Sequence, residues 1–136
     1  MKKNINYFFL GAGILLLFIT SYHIFYGEIN AFSTLKNNDI DESLLINLYN
    51  PWHQLTLLFM TFALTLGIAA FKNTHLPLVK YILILLITNT VVFLVLPFFG
   101  SGIHMFIETL PQFLLFLGLD VLVFLGLRKK NSEAKV

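Results

Sequence analysis

The amino-acid sequence predicts an all-α integral membrane protein, a bundle of four transmembrane helices. Hydrophobic residues make up 57% of the 136 residues and charged residues only 12%, whereas a soluble domain usually carries about 25% charged residues. Four stretches are long and apolar enough to cross a bilayer, and basic residues are distributed unevenly between the connections. Because there is no cysteine and no glycine-rich phosphate loop, disulfide scaffolds, zinc fingers and nucleotide-binding folds are without support.

Each predicted span has the roughly 20 apolar residues needed to cross a hydrocarbon core of about 30 Å. Pro51 and Pro77 suit the first turn of a helix, where the missing N–H is not needed. Together the spans form one domain over residues 1–127, followed by a basic cytoplasmic tail over residues 128–136. The predicted spans cover about residues 5–26, 51–71, 78–99 and 103–127.

The first connection, residues 27–50, is predicted to be a polar loop that contains one short helix. Asp41 and Glu42 suit a helix N-terminus, and the leucines of residues 41–49 fall on one face. We therefore expect a short outer helix lying on the membrane surface, acting either as a lid or as a simple anchor for the loop.

The distribution of basic residues predicts the orientation. Only Lys36 lies in the first connection. Basic residues in short loops are retained in the cytoplasm, so both termini are predicted to be cytoplasmic, in a multi-pass protein of the cell (inner) membrane. The net charge of +2 therefore does not indicate a nucleic-acid partner. The other eight basic residues are Lys2, Lys3, Lys72, Lys80, Arg128, Lys129, Lys130 and Lys135.

Ionisable side chains inside the spans are the candidate functional residues, because they are costly in a bilayer and usually face the bundle interior. His23, His53 and His104 each lie near the outer end of a different span. Glu108 follows His104 by four residues, which places both on one helix face. Imidazole and carboxylate suit divalent transition metals, and helix bundles build metal sites from facing helices. The sequence therefore predicts an outward-facing metal or ligand site formed by His23, His53, His104 and Glu108.

Several alternatives stay open for these residues. A b-type haem held by two of the histidines needs a cleft between opposing helices, and a polar site without metal would bind a small ligand or hold the bundle together. No nucleophile or oxyanion motif accompanies Glu108, so an enzyme is not indicated. The competing functions are an accessory or structural subunit of a membrane complex and, less favoured, a small oligomeric transporter. The expected partners are the lipid bilayer and either further copies of this chain or a larger membrane complex.

Asp120 is predicted to be structural, because no second acid shares its helix face. Lys80, Lys72 and Asn73 are its expected partners near the cytoplasmic interface. The polar run Thr88-Asn89-Thr90 predicts a hydrogen bond between helices. The small residues Gly11, Gly13, Ala63 and Gly67 predict close helix packing.

Overall fold

A computed structural model of the chain describes residues 5–38, 40–72, 75–99 and 103–133. Helix α1, Tyr7–Tyr26, passes through a π-helical segment, Gly27–Phe32, into the short helix α2, Ser33–Asn37. The long helices α3, Glu42–Phe71, α4, Leu76–Phe99, and α5, Ile103–Glu133, follow, and the described residues contain no strand. Four helical stretches are long and apolar enough to cross a membrane, as predicted.

The long helices alternate in direction, which gives the bundle two ends. The start of α1 meets the ends of α3 and α5 at one of them, which we call the terminal end. The opposite end, where α1 enters the π-helical segment, is the distal end. Helix α1 packs mainly against α3 and also against α5, whereas α4 packs mainly against α5. The core runs between them and includes the fully buried Phe9, Leu16, Leu66, Leu86 and Leu119.

Small residues bring α1 and α3 together, as the sequence predicts. A Cβ atom added at Gly13 would lie 3.0 Å from the Ala63 carbonyl oxygen and 3.2 Å from the Gly67 nitrogen. These distances leave little room for a side chain at position 13. The two backbones are therefore nearly in contact, which increases the van der Waals contact between the helices. This contact matters in a bilayer because lipid provides no hydrophobic driving force for helix association.

Asn6 fixes the terminal end of the bundle. Its Oδ1 accepts hydrogen bonds from the backbone nitrogens of Phe8 and Phe9, at 3.2 and 3.3 Å, and thereby caps α1. Its backbone N–H donates to the Ala70 carbonyl at 2.9 Å, and its Nδ2 donates to the Gly126 carbonyl at 2.8 Å. This fully buried residue thus joins α1, α3 and α5.

The first connection differs from the sequence prediction. Residues 27–37 are helical, and the helix predicted over residues 41–49 is the first part of α3. Asp41 caps α3 by accepting hydrogen bonds from the backbone nitrogens of Ser43 and Leu44. Pro51 therefore lies inside α3 instead of starting it, because the long helix around it compensates for the missing hydrogen bond.

Helix α5 also extends beyond the predicted span, through the basic residues that follow position 127. The position of the first turns of α3 on a membrane surface, the sidedness of the termini and the boundary of the cytoplasmic tail stay predictions.

Candidate functional site

Polar and aromatic side chains from α1, the π-helical segment and α3 meet at the distal end of the bundle. We call this group the distal cluster. Its centre is a carboxylate in contact with an imidazole and a phenol, and its surroundings are aromatic rings. Its members are His23, Glu28, Phe32, Tyr49, Trp52 and His53.

The helical form of the first connection builds this cluster. Because α3 starts at Glu42, Tyr49 lies inside the helix. Trp52 and His53 follow it by three and four residues and therefore lie next to it on the helix surface. The continuation of α1 past Gly27 brings Glu28 opposite that face. Gly27 leaves room for the Trp52 indole, which lies directly against the position that a Cβ atom of residue 27 would occupy.

Glu28 is the polar centre of the distal cluster. Its Oε1 accepts a hydrogen bond from the Tyr49 hydroxyl and lies 3.2 Å from the His53 Nε2. The exposed fractions of the Glu28 and His53 side chains are 37% and 38%. Both side chains are therefore partly accessible, although the Nε2 atom of His53 is itself buried.

Aromatic rings form the wall of the cluster. The His23 ring stacks on Trp52, with ring centroids 3.8 Å apart and an angle of 12° between the planes. Phe32 meets Tyr49 edge-on at 4.5 Å between centroids. The ammonium of Lys36 lies 5.6 Å from the centroid of the Tyr49 ring, within the range of a cation–π interaction. The cluster thus already attracts one cation of its own chain.

Three nitrogen atoms of the cluster have no hydrogen-bond partner among the described residues. They are Nε2 of His23, Nε1 of Trp52 and Nε2 of His53, and all three are buried. The His53 nitrogen is near Glu28 but outside hydrogen-bonding geometry. Buried polar atoms are nearly always paired, and an unpaired one costs about 1–3 kcal/mol. Unpaired buried atoms of this kind call for a partner such as a water molecule, an ion or a ligand.

The four residues predicted from the sequence occupy two different places. His23 and His53 belong to the distal cluster, whereas His104 and Glu108 lie on α5. The Nδ1 atom of His104 and the Oε1 atom of Glu108 are 3.4 Å apart, which confirms that the two residues share a helix face. Their side chains are 77% and 66% exposed, because the buried face of α5 is the one that carries Phe116, Leu119 and Val123.

A metal or haem site made from all four residues stays a prediction. Within residues 5–38, 40–72, 75–99 and 103–133, no group of three or more His, Cys, Asp or Glu side chains is arranged to hold a metal ion. The sequence analysis also missed Glu28, since it placed this residue in a polar loop. The available signal was the run after Gly27, which has no proline or further glycine before Asn37 and can continue a helix.

A second polar group lies between α4 and α5. Asp120 Oδ2 is 2.7 Å from the Thr90 hydroxyl oxygen, which confirms the predicted hydrogen bond between helices. Two of the predicted partners of Asp120, Lys72 and Lys80, were wrong. Lys72 and Lys80 are exposed and make no ion pair with it in the described part of the chain, and Asn73 lies outside the described residues.

The distal cluster is therefore a partly exposed polar group formed by several helical segments, and Asp120 belongs to a buried one. The function of these two groups follows from the chemistry of their own residues. No protein family, curated protein or solved structure matches the chain.

Proposed function

We propose that this small multi-pass membrane protein binds a small cationic ligand at the distal cluster, on the outer side of the cell membrane. The observation that supports the proposal best is the partly exposed Glu28 carboxylate, which accepts a hydrogen bond from Tyr49 and lies beside the His53 imidazole. A carboxylate only accepts hydrogen bonds and carries negative charge, so its natural ligand is a cation or a hydrogen-bond donor.

A divalent transition-metal ion is the first candidate ligand. Glu28 Oε1 and His53 Nε2 are the two donor atoms that would hold it, and both are ligand types that such ions take at about 2.0–2.2 Å. Two protein ligands leave the other coordination positions to water or a solute, as in an open site. Binding would accordingly be weak and reversible.

An organic ammonium ion is the second candidate, favoured by the aromatic wall. The Tyr49 hydroxyl contacts the carboxylate, and Lys36 shows that an ammonium group fits over the Tyr49 ring. Aromatic faces and a carboxylate together are the usual means of binding quaternary ammonium groups.

Intrinsic fluorescence can test the proposal, because Trp52 is the only tryptophan of the chain and lies inside the cluster. Titration of the purified protein in detergent with Zn²⁺ is expected to change this fluorescence saturably. Glu28→Gln keeps hydrogen-bond acceptors but removes the charge, and it should weaken the apparent affinity at least about tenfold, or about 1.4 kcal/mol.

Glu108→Gln is the matched control, because it removes the same charge from the other His–Glu pair, on α5. This variant should titrate like the unaltered protein. A parallel titration with tetraethylammonium separates the two candidate ligands. If neither probe changes the fluorescence, the ligand-binding proposal fails and the accessory-subunit function takes its place.

Accessibility in intact cells tests the outer location. The chain has no cysteine, so single cysteines are unambiguous labels. Thr34→Cys, on exposed α2, is expected to react with a membrane-impermeant maleimide, whereas Ser132→Cys, near the end of α5, should react only after lysis. The basic residues near the termini are the reason for this expectation. The reverse labelling pattern would place the distal cluster in the cytoplasm.

A further inference from the structure

Asp120 is an acid that lies near the middle of the bundle, far from the distal cluster. It stands on α5 opposite Thr90 of α4, and only 8% of its surface is exposed. One carboxyl oxygen, Oδ2, contacts the Thr90 hydroxyl, whereas the other, Oδ1, is buried and has no hydrogen-bond partner among the described residues. An ionisable group at this depth is a functional candidate by default.

The contacts of the Thr90 hydroxyl fit two states of Asp120, an ionised carboxylate that accepts from the hydroxyl or a neutral acid that donates to it. The Thr90 hydroxyl oxygen is 3.0 Å from the Leu86 carbonyl oxygen and 2.7 Å from Asp120 Oδ2. A hydroxyl has one hydrogen, and a carbonyl can only accept. If Thr90 donates to Leu86, the hydrogen of the contact with Asp120 must come from Asp120 itself.

The charges around Asp120 favour the neutral acid. Helices α1 and α4 pack against α5, and their described charged or titratable side chains lie toward the helix ends. No ion pair to Asp120 is found among the described residues, so an ionised carboxylate would be buried without compensation, which costs far more than a neutral acid. The groups in question are Tyr7, Tyr22, His23 and Tyr26 on α1, Lys80 and Tyr81 on α4, and His104, Glu108, Arg128, Lys129 and Lys130 on α5.

We propose that Asp120 is a proton-binding site in the interior of the bundle, a neutral carboxylic acid that donates to the Thr90 hydroxyl, which in turn donates to the Leu86 carbonyl. The ligand of this site is a proton, held on Oδ2 where the solvent is excluded. The free Oδ1 is then the carbonyl oxygen of an acid and not half of an anion. This site is independent of the ligand proposed for the distal cluster.

Infrared spectroscopy distinguishes the two protonation states, because a carboxylic acid has a C=O stretching band above the amide region and a carboxylate does not. At about pH 7.5, far above the ordinary aspartate range near 3.9, the unaltered protein is expected to show an acid band that is absent in Asp120→Asn. If Asp120→Asn instead removes a carboxylate band, Asp120 is ionised in the unaltered protein and the proposal is wrong. Thr90→Val, which removes the acceptor, should shift the acid band without abolishing it.

Isotope labelling keeps the test decisive if Asp120→Asn does not fold. The chain has three aspartates, Asp39, Asp41 and Asp120. Aspartate labelled with ¹³C at the side-chain carboxyl, in a protein that carries Asp39→Asn and Asp41→Asn, leaves Asp120 as the one labelled acid. An isotope-shifted acid band supports the neutral state, and an isotope-shifted carboxylate band excludes it.

Discussion

Replacing Gly27 with alanine is expected to expel Trp52 from the distal cluster. A Cβ atom at position 27 would lie 2.5 Å from Cε2 and 2.7 Å from Cζ2 of the indole, and closer still to Nε1. Carbon atoms do not approach to such distances, and the indole is a rigid ring. Trp52 must therefore leave its stacked position on His23, at a cost typical of overpacking, about 1–3 kcal/mol.

The expected signs of Gly27→Ala are a changed Trp52 emission and loss of the Zn²⁺ response. Gly11→Ala on α1 is the matched control, because a Cβ atom there meets no other atom within 4 Å. That variant should keep both the emission spectrum and the titration. An unchanged emission spectrum in Gly27→Ala would contradict the position of the indole over Gly27.

Replacing Asn6 with alanine is expected to lower the free energy of unfolding by about 2–4 kcal/mol, measured by chemical or thermal unfolding in detergent. Loss of a helix N-cap costs about 1 kcal/mol. In addition, the Gly126 carbonyl loses its buried donor, which costs about 1–3 kcal/mol. Both losses occur at the junction of α1, α3 and α5, so no single helix can relax to compensate.

Asn6→Ser separates the two contributions. A serine hydroxyl still accepts from the first backbone nitrogens of α1, but its side chain is too short to reach the Gly126 carbonyl, which Asn6 Nδ2 contacts at 2.8 Å. The serine variant should therefore be intermediate in stability. If Asn6→Ala unfolds like the unaltered protein, the link between α1 and α5 has been wrongly assigned.

The sequence alone predicted the four long apolar helices and the approximate limits of two of them. Helix α1, Tyr7–Tyr26, and helix α4, Leu76–Phe99, lie within about two residues of the spans predicted from hydropathy. The bilayer imposes a fixed length of apolar chain and requires every backbone group to be paired within the segment. Composition therefore suffices to predict these helices without knowledge of their packing.

The extent of the helices beyond the apolar runs was decided by local contacts. The helical course of residues 27–37 and the start of α3 at Glu42 depend on capping by Asp41 and on packing between the π-helical segment and α3. Hydropathy does not register such contacts, which is why Glu28 was assigned to a loop and overlooked.

Only the tertiary structure decided which polar side chains meet. His23 and His53 could be singled out as ionisable residues in apolar spans, but the rotation of each helix about its axis could not be predicted. In a soluble protein the apolar stripe gives that rotation, whereas in a bilayer the lipid-facing side is as apolar as the interior. Packing turned His53 toward Glu28, stacked His23 on Trp52, turned His104 and Glu108 to an exposed face of α5, and placed Asp120 against Thr90.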